Sequence, residues 1–349
     1  MKSFSQDELE EWQQYYDRLD VGPYHSPAYL DFIAGRLERE TRAELVIVES
    51  DNEFVYYPYL IRPLSSLEYA DEVDLDLTQF ADIISSWYYG GPIPSDEGSG
   101  IRGRFANQFS EYCRKEGFIA EFIRFDPNEQ NHTEFPNLEP TFNRETVWVD
   151  LTQSEAAIWD GFETRNRNAI RQARDARITI ESSWSWNDVE AFHTINSNAM
   201  EAKGASEQYR FSLTFFRDLL EDSNLSSFLV ARYENDVIGG SVIVHDEKVA
   251  HDYLRASNPH YWDKRVNNLL CYEAILHMRE SDRVRFDFQG GRPGVFKFKK
   301  SFSPNRGDFY VAKRIHDQEK YDRLVNTAKR NGVDTTTEYF PNYRIEQSN

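Results

Sequence analysis

Apolar positions recur along the chain in two periods, one near 3.6 and one near 2, and the changes between them divide it into helices and strands. Residues 6–19 carry Leu9, Trp12, Tyr16 and Leu19 on one helical face behind Ser5, a residue suited to an N-cap. A second helix is expected after His25-Ser26-Pro27, where proline suits the first turn. Ala43–Glu49 and Glu53–Ile61 read as strands joined by an Asp51-Asn52 turn. Ser85–Tyr89 reads as a further strand running into Gly90-Gly91-Pro92, Ile101–Lys115 as a helix and Phe118–Phe125 as a strand. Residues 126–144 are rich in Asn, Pro and Glu without periodicity, which marks a loop and the domain seam.

The second half repeats this grammar. Thr146–Leu151 is strand-like, 154–176 strongly helical, Arg177–Glu181 a strand, and 187–202 and 211–222 helices. Strands follow at Ser227–Tyr233, Val237–Val244 and Val249–Ala256, then a helix over 266–280 that turns Leu269, Leu270, Ala274, Ile275 and Met278 toward a core. A strand at 283–288 precedes Gly290-Gly291, and Phe309–Ala312 precedes a C-terminal helix near 317–330. Three antiparallel strands between helix pairs, then a long helix and a strand, define the expected fold class: α/β (α+β), each half a mixed, mostly antiparallel sheet flanked by helices. The expected domains are residues 1–145 and 146–349.

Composition narrows the classes. The chain has 349 residues, 40% hydrophobic and 15% aromatic, enough to give two domains a full core and far too much for a disordered acidic tail. No apolar run approaches the ~18–20 residues that span a bilayer, and the acidic start lacks a hydrophobic signal core, so a cytoplasmic protein without a transmembrane segment is expected. Two cysteines exclude a disulfide framework, the eight histidines show no zinc-type spacing, so no metal is expected, and no serine sits in a G-x-S-x-G elbow. The net charge of −19, from 59 acidic and 40 basic residues, argues against non-specific binding of nucleic acid but leaves room for a local basic groove. With a mean hydropathy of −0.70 it also suits a high-salt cytosol, beside the plainer reading of an ordinary acidic protein.

The few lysines are not spread evenly. Lys297, Lys299 and Lys300, three of only eleven, fall within four positions, interleaved with Phe296, Phe298 and Phe302. In an extended conformation Lys297 and Lys299 would share one face and Phe296 and Phe298 the other, giving compact charges for an oxyanion or phosphate. A second candidate is the arginine-rich helix, where Arg167, Arg171 and Arg174 fall within an arc of about 60° and could hold phosphates or pair with surface acids. Gly98-Ser99-Gly100-Ile101-Arg102-Gly103 lacks the lysine of a P-loop and reads as a loop leading into a helix.

Three blocks carry a resemblance. Arg165-Asn166-x-x-x-Ile170-Arg171-x-Ala173, Asn267-Asn268-Leu269-Leu270-x-x-Glu273-Ala274-Ile275, and Phe286-Asp287-Phe288-Gln289-Gly290 followed by Gly294-Val295-Phe296-Lys297-Phe298-Lys299 are similar in order and spacing to the FemABX (lipid II:glycine glycyltransferase-like) peptidyltransferases, over roughly 145–305. The resemblance implies a pair of acetyltransferase-like (GNAT) domains that transfer an aminoacyl or acyl group to an amine, with no bound cofactor and an activated donor, aminoacyl-tRNA or acyl-CoA. It implies an envelope or surface-glycan precursor as acceptor, with peripheral membrane contact where that precursor is lipid-linked. On this resemblance Lys299 is the catalytic residue, and Arg167, Arg171, Tyr253, Arg255, Asn267, Glu273, Phe296, Lys297 and Phe298 are substrate-binding. Phe296 stands where the family has tyrosine and Gln289 where it has glycine. Trp262-Asp263-Lys264-Arg265 stands where a glycine-spaced coenzyme A loop would precede the helix, which counts against an acetyl-CoA-dependent N-acetyltransferase; that enzyme and, on the Phe296 and Gln289 departures, a non-catalytic binding scaffold are the alternatives.

Overall fold

The structure, a computed structural model, describes residues 1–36, 40–50, 53–96, 100–202 and 211–344. The expected Asp51-Asn52 turn and the Gly98-Ser99 part of the glycine-rich loop lie outside these residues. The chain forms two compact units, one of Met1–Asn143 together with the chain from Phe309 onward, the other of Arg144–Asp308.

The first unit begins with β1 (Lys2–Ser5), α1 (Leu9–Tyr16) and α2 (Pro27–Ile33). Ser5 marks the helix start as expected, its backbone N–H donating to the Glu8 carboxylate at 2.8 Å. Then come β2 (Arg42–Ser50), β3 (Glu53–Pro63), β4 (Ala81–Ile84), β5 (Ile93–Pro94), α3 (Ile101–Lys115) and β6 (Phe118–Arg124). Ser85–Tyr89 is not a strand. The strand lies just before it, as β4, with the carboxylate of Asp82 buried inside it.

The second unit runs through β7 (Thr141–Asp150), α4 (Glu155–Gly161), α5 (Thr164–Asp175), β8 (Thr179–Ser182), α6 (Trp186–Ala202), α7 (Leu213–Glu221), β9 (Ser226–Tyr233), β10 (Asp236–His245) and β11 (Val249–Ser257). It closes with α8 (Val266–Glu280), β12 (Arg285–Gln289) and α9 (Pro293–Lys299). The single helix expected over 154–176 is two, broken where Phe162 takes an extended conformation and buries its ring in the core. The sheet order is β7-β12-β11-β10-β9-β8, antiparallel throughout except for the parallel β11–β12 pair. Leu269, Leu270, Ala274, Ile275 and Met278 of α8 join Ile170 and Ala173 of α5 in one buried cluster over the sheet, as the periodicity requires. Gly240 is needed for close packing, since a Cβ there would lie 2.8 Å from Phe192 of α6 and 2.9 Å from Phe228.

Two bulges interrupt this sheet. On β11 the register steps from Val242↔Leu254 to Ile243↔Asp252, leaving Tyr253 as the extra residue. On β12 it steps from Asp287↔Trp148 to Gln289↔Val147, leaving Phe288 as the extra one.

The last elements, β13 (Arg306–Ile315) and α10 (Gln318–Arg330), complete the first unit from Phe309 onward. There the sheet order is β1-β2-β3-β4-β6-β13, with β5 on β3 and only β4–β6 parallel. The division expected at 145/146 therefore differs at the C terminus. Val311–Ile315 pair antiparallel with β6, and Tyr321, Leu324 and Ala328 of α10 pack with Ile119 and Ala120, so the tail past 308 belongs to the first unit rather than the second. Both units are mixed, mostly antiparallel sheets flanked by helices, the expected fold class. Among the described residues no helix is long and apolar enough to cross a membrane.

Candidate active site

The Phe-Lys-Phe-Lys alternation is not extended. Pro293 opens α9, and the following residues wind into two turns of helix ending at Lys299. Residues two apart on a helix point about 200° away from each other, so the two lysines separate. Lys297 is exposed, while Lys299 is 8% exposed and its Nζ donates to the carbonyl of Gly290 at 2.8 Å. Burial pushes the Lys299 ammonium down to about 8, with Asp252 and Asp287 opposing the fall and Arg255 adding to it. An amine buried in this way remains mostly an ammonium at neutral pH but gives up its proton far more readily than a surface lysine.

Beside it lies the end of β11. Arg255 pairs with Asp252 at 3.2 Å and sets its guanidinium 5.1 Å from the centroid of the Phe298 ring. Its Nη1 is buried without a hydrogen-bond partner, an oriented donor with unmet capacity. Tyr253, the bulge residue between them in sequence, is 3% exposed. Phe296 and Phe298 pack their rings on the core cluster, and Phe298 also forms part of the wall of a groove.

That groove, about 450 Å³, runs between α5, the start of α8 and α9. Three cations border it: Arg165, Arg265 and Lys297. Buried amides hold its frame. Asn268 donates to Asn166 Oδ1 at 2.8 Å, and Asn166 donates to the carbonyl of Ser301 at 3.1 Å, which ties α8, α5 and the end of α9 together. The α8 N-terminus begins at Arg265 in a left-handed conformation, φ 59°, with no side-chain cap, so no capping side chain offsets the partial positive charge of the helix start. Asn267 sits beside it, its Nδ2 donating to Ser257 Oγ at 2.9 Å while its Oδ1 is buried without a partner.

Three expected ligands point elsewhere. Arg167 reaches back to the end of α4, donating to the carbonyls of Asp160 and Phe162, so it satisfies helix-terminal acceptors exposed by the break. Arg171 is exposed, bonded to Asn168 Oδ1 at 3.0 Å, and lies 5.3 Å from the Trp159 ring. Glu273 is held by Arg174 at 3.0 Å in a bridge from α5 to α8. None of the three borders the groove. Conversely, Asp252, Asp287 and the Gly290 carbonyl surround the lysine, and Arg165, Arg265 and Gln172 border the groove; Arg165, Asp287 and Gly290 stand in the resemblance blocks, but the sequence reading gave none of the six a place in the site. Asp287 carried a signal, as the one polar residue between Phe286 and Phe288 in an apolar strand.

Residues 162–300 match a family model described as an acetyltransferase (GNAT) domain, and they contain the lysine, both bulge residues and all of the groove lining but Ser301. No curated protein matches the sequence. Among solved structures the fold is similar to that of FemX, with a TM-score of 0.69 at 13% identity over 92% of this chain and 99% of that one. It is also similar to the C-terminal domain (DUF2156) of a protein described as a lysylphosphatidylglycerol synthetase, from Agrobacterium fabrum (TM-score 0.54, 15% identity, 93% and 96% covered). A conserved protein of unknown function from Bacteroides thetaiotaomicron gives 0.58 at 11% identity, 89% and 98% covered. The likeness to Fem-type and acetyltransferase-like proteins drawn from the three sequence blocks thus holds for the fold.

Proposed function

We propose that the second unit is an acyltransferase that moves an acyl or aminoacyl group from an activated ester or thioester to an amine, with Lys299 at the reaction centre. The observation that carries this reading is the buried Lys299 ammonium, 2.8 Å from the Gly290 carbonyl and next to the unmet donor of Arg255. When an amine attacks the acyl carbon, the carbonyl oxygen gains negative charge before the ester or thioester bond breaks. A preorganised cation in a dry site stabilises that oxyanion without solvent reorganisation. Lys299 supplies the charge and Arg255 a second donor. The new C–N bond forms, the C–O or C–S bond breaks, and the proton lost by the attacking amine is available to the leaving group.

The groove suits the anionic part of the donor. Arg165, Arg265 and Lys297, with the uncapped start of α8, would hold phosphates of a tRNA 3′ end or of coenzyme A. Phe298 separates the groove from Arg255 and would seat the reacting end of the donor. The acceptor, an amine on an envelope or surface-glycan precursor, follows from the Fem-type resemblance. Tyr253 and Asn267 remain proposed acceptor contacts.

Lys299→Ala is expected to lower transfer about 10²–10³-fold with an unchanged melting curve, and transfer at the wild-type rate refutes the reading. The transferred group and its acceptor are identified by mass spectrometry of envelope precursors in a strain lacking the gene, from the missing mass increment. A second reading, an acetyl-CoA-dependent N-acetyltransferase, is favoured by the uncapped α8 N-terminus beside Arg265. Calorimetric titration with acetyl-CoA tests it, and absence of heat at millimolar ligand eliminates it.

A further inference from the structure

We propose that Asp287 is a positioning residue for Lys299: its carboxylate holds the β12 bulge in the arrangement that aims the Gly290 carbonyl at the Lys299 ammonium, and supplies that ammonium with a counter-charge. The catalytic consequence rests on the reading of Lys299 above. The positioning itself does not.

The geometry runs through three consecutive turns of backbone. In an unbroken ladder each residue of β12 would alternate its bonds with β7, but Phe288 is the extra residue, and the chain must leave the regular path after Asp287. At the bulge the Gln289 N–H donates to Asp287 Oδ1 at 2.6 Å. Gln289 sits at φ 62°, a left-handed conformation that a non-glycine residue keeps only where its surroundings hold it. The next residue, Gly290, is packed so closely that a Cβ would lie 2.9 Å from Arg144 Cδ, and its carbonyl is the acceptor for Lys299 Nζ. Asp287 therefore fixes the first dihedral of a turn whose last atom touches the lysine.

The second carboxylate oxygen faces His251 Nδ1 at 3.4 Å, in the register pair His251↔Asp287 across the parallel strands. Both side chains are buried, so the carboxylate is held from two sides. The charged groups that bear on Lys299 are Asp252 and Arg255 from β11 and Asp287 from β12, while Lys297 and Lys300 on its own segment are exposed. Asp252 acts most strongly of the three and is paired with Arg255 at 3.2 Å, whose charge opposes it; Asp287, held on β12 apart from that pair, adds a smaller pull in the same direction as Asp252.

The test reads Lys299 directly. With only eleven lysines, side-chain ¹³C labelling of the full chain resolves them, and the resonance missing in Lys299→Met assigns the one of interest. Asp287→Asn keeps an oxygen for the Gln289 N–H but removes the charge. It is expected to stay folded and to lower the Lys299 titration midpoint by at least about 0.5 pH unit, because an opposite charge favours the ammonium. Asp287→Ser, smaller but still an acceptor, is measured beside it and should move the midpoint in the same direction. In a transfer assay both should lower kcat about tenfold with KM within about twofold, since the loss is felt as the oxyanion forms. A folded variant whose midpoint stays within about 0.2 unit of wild type overturns the proposal. So does failure of both variants to fold, which would make Asp287 structural alone. Full transfer by Lys299→Ala would instead defeat the acyltransfer reading and leave the titration result standing.

Discussion

Two carboxylate clusters in the first unit and the lysine site of the second hold buried charge differently. In the first, Asp82 receives Arg62 Nε at 2.6 Å, Arg344 Nε at 2.6 Å and the Tyr343 hydroxyl at 3.2 Å, and Glu121 receives the Tyr57 hydroxyl at 2.8 Å, Arg314 at 3.1 Å and His316 at 3.0 Å. Burial raises the Glu121 carboxyl, but the hydrogen bond from His316 and the charge of Arg314 outweigh it and hold the group below the ordinary range. In the second unit, Lys299 is buried against one carbonyl, and Arg255 and Asn267 keep unmatched polar atoms. Saturated networks specify a fold, whereas unsaturated ones keep capacity for something not yet bound. The largest predicted effect breaks the first kind. Asp82→Ala leaves two buried guanidiniums without their carboxylate and should destabilise the protein by about 3–5 kcal/mol in denaturant titration.

The second prediction removes the charge from the other kind of site. Lys299→Met should abolish most transfer, yet at pH 7 it should match or exceed wild-type stability. The folded Lys299 titrates at about 8 rather than at its ordinary 10.5, so below 8 the native state carries a buried cation that costs about 3 kcal/mol. Between 8 and 10.5 the unfolded chain binds more protons than the folded one, so wild-type stability rises with pH and the advantage of the variant shrinks. Denaturant midpoints measured from pH 7 to 10.5 check the convergence. A third, smaller effect lies in the rate. If the ammonium is the active form, kcat/KM should fall on the alkaline side with a midpoint near 8, and an acidic limb should report deprotonation of the acceptor amine.

What the sequence revealed, and what it hid, follows the range of the interactions. The helix over 266–280 was legible because its apolar face repeats within fifteen residues and needs no distant partner. The strand β4 was not, since Asp82 looks like a break in an apolar run until Arg62, 20 residues away, and Arg344, 262 residues away, close on it. At the candidate site the clustering of lysines was visible, but alternation of Phe and Lys mimics a strand, and only Pro293 hinted at the helix that sends Lys299 inward and Lys297 outward. The left-handed turn at Gln289 was masked by the absence of glycine, the residue that normally announces one. The break at Phe162 was equally silent, so residues 154–176 were read as a single helix.

The helix α5 offers the finest comparison, between two arginines six residues apart on it. Residues so spaced differ by about 240° in direction. Arg165 borders the groove, donating to the Lys297 carbonyl at 3.2 Å and pairing with Glu163 at 2.6 Å, while Arg171 turns to Asn168 and the Trp159 ring. If the groove holds the donor's phosphates, Arg165→Ala should raise KM for the donor several-fold, about 1 kcal/mol of lost charge-assisted contact, with kcat nearly intact. Arg171→Ala should leave KM within about twofold and remove only about 0.5–1 kcal/mol of stability, the worth of an exposed cation over an aromatic ring. Steady-state kinetics on the two variants, with melting curves alongside, sets one against the other. Equal effects on KM would mean that the donor lies along the outer face of α5, and the groove would lose its role.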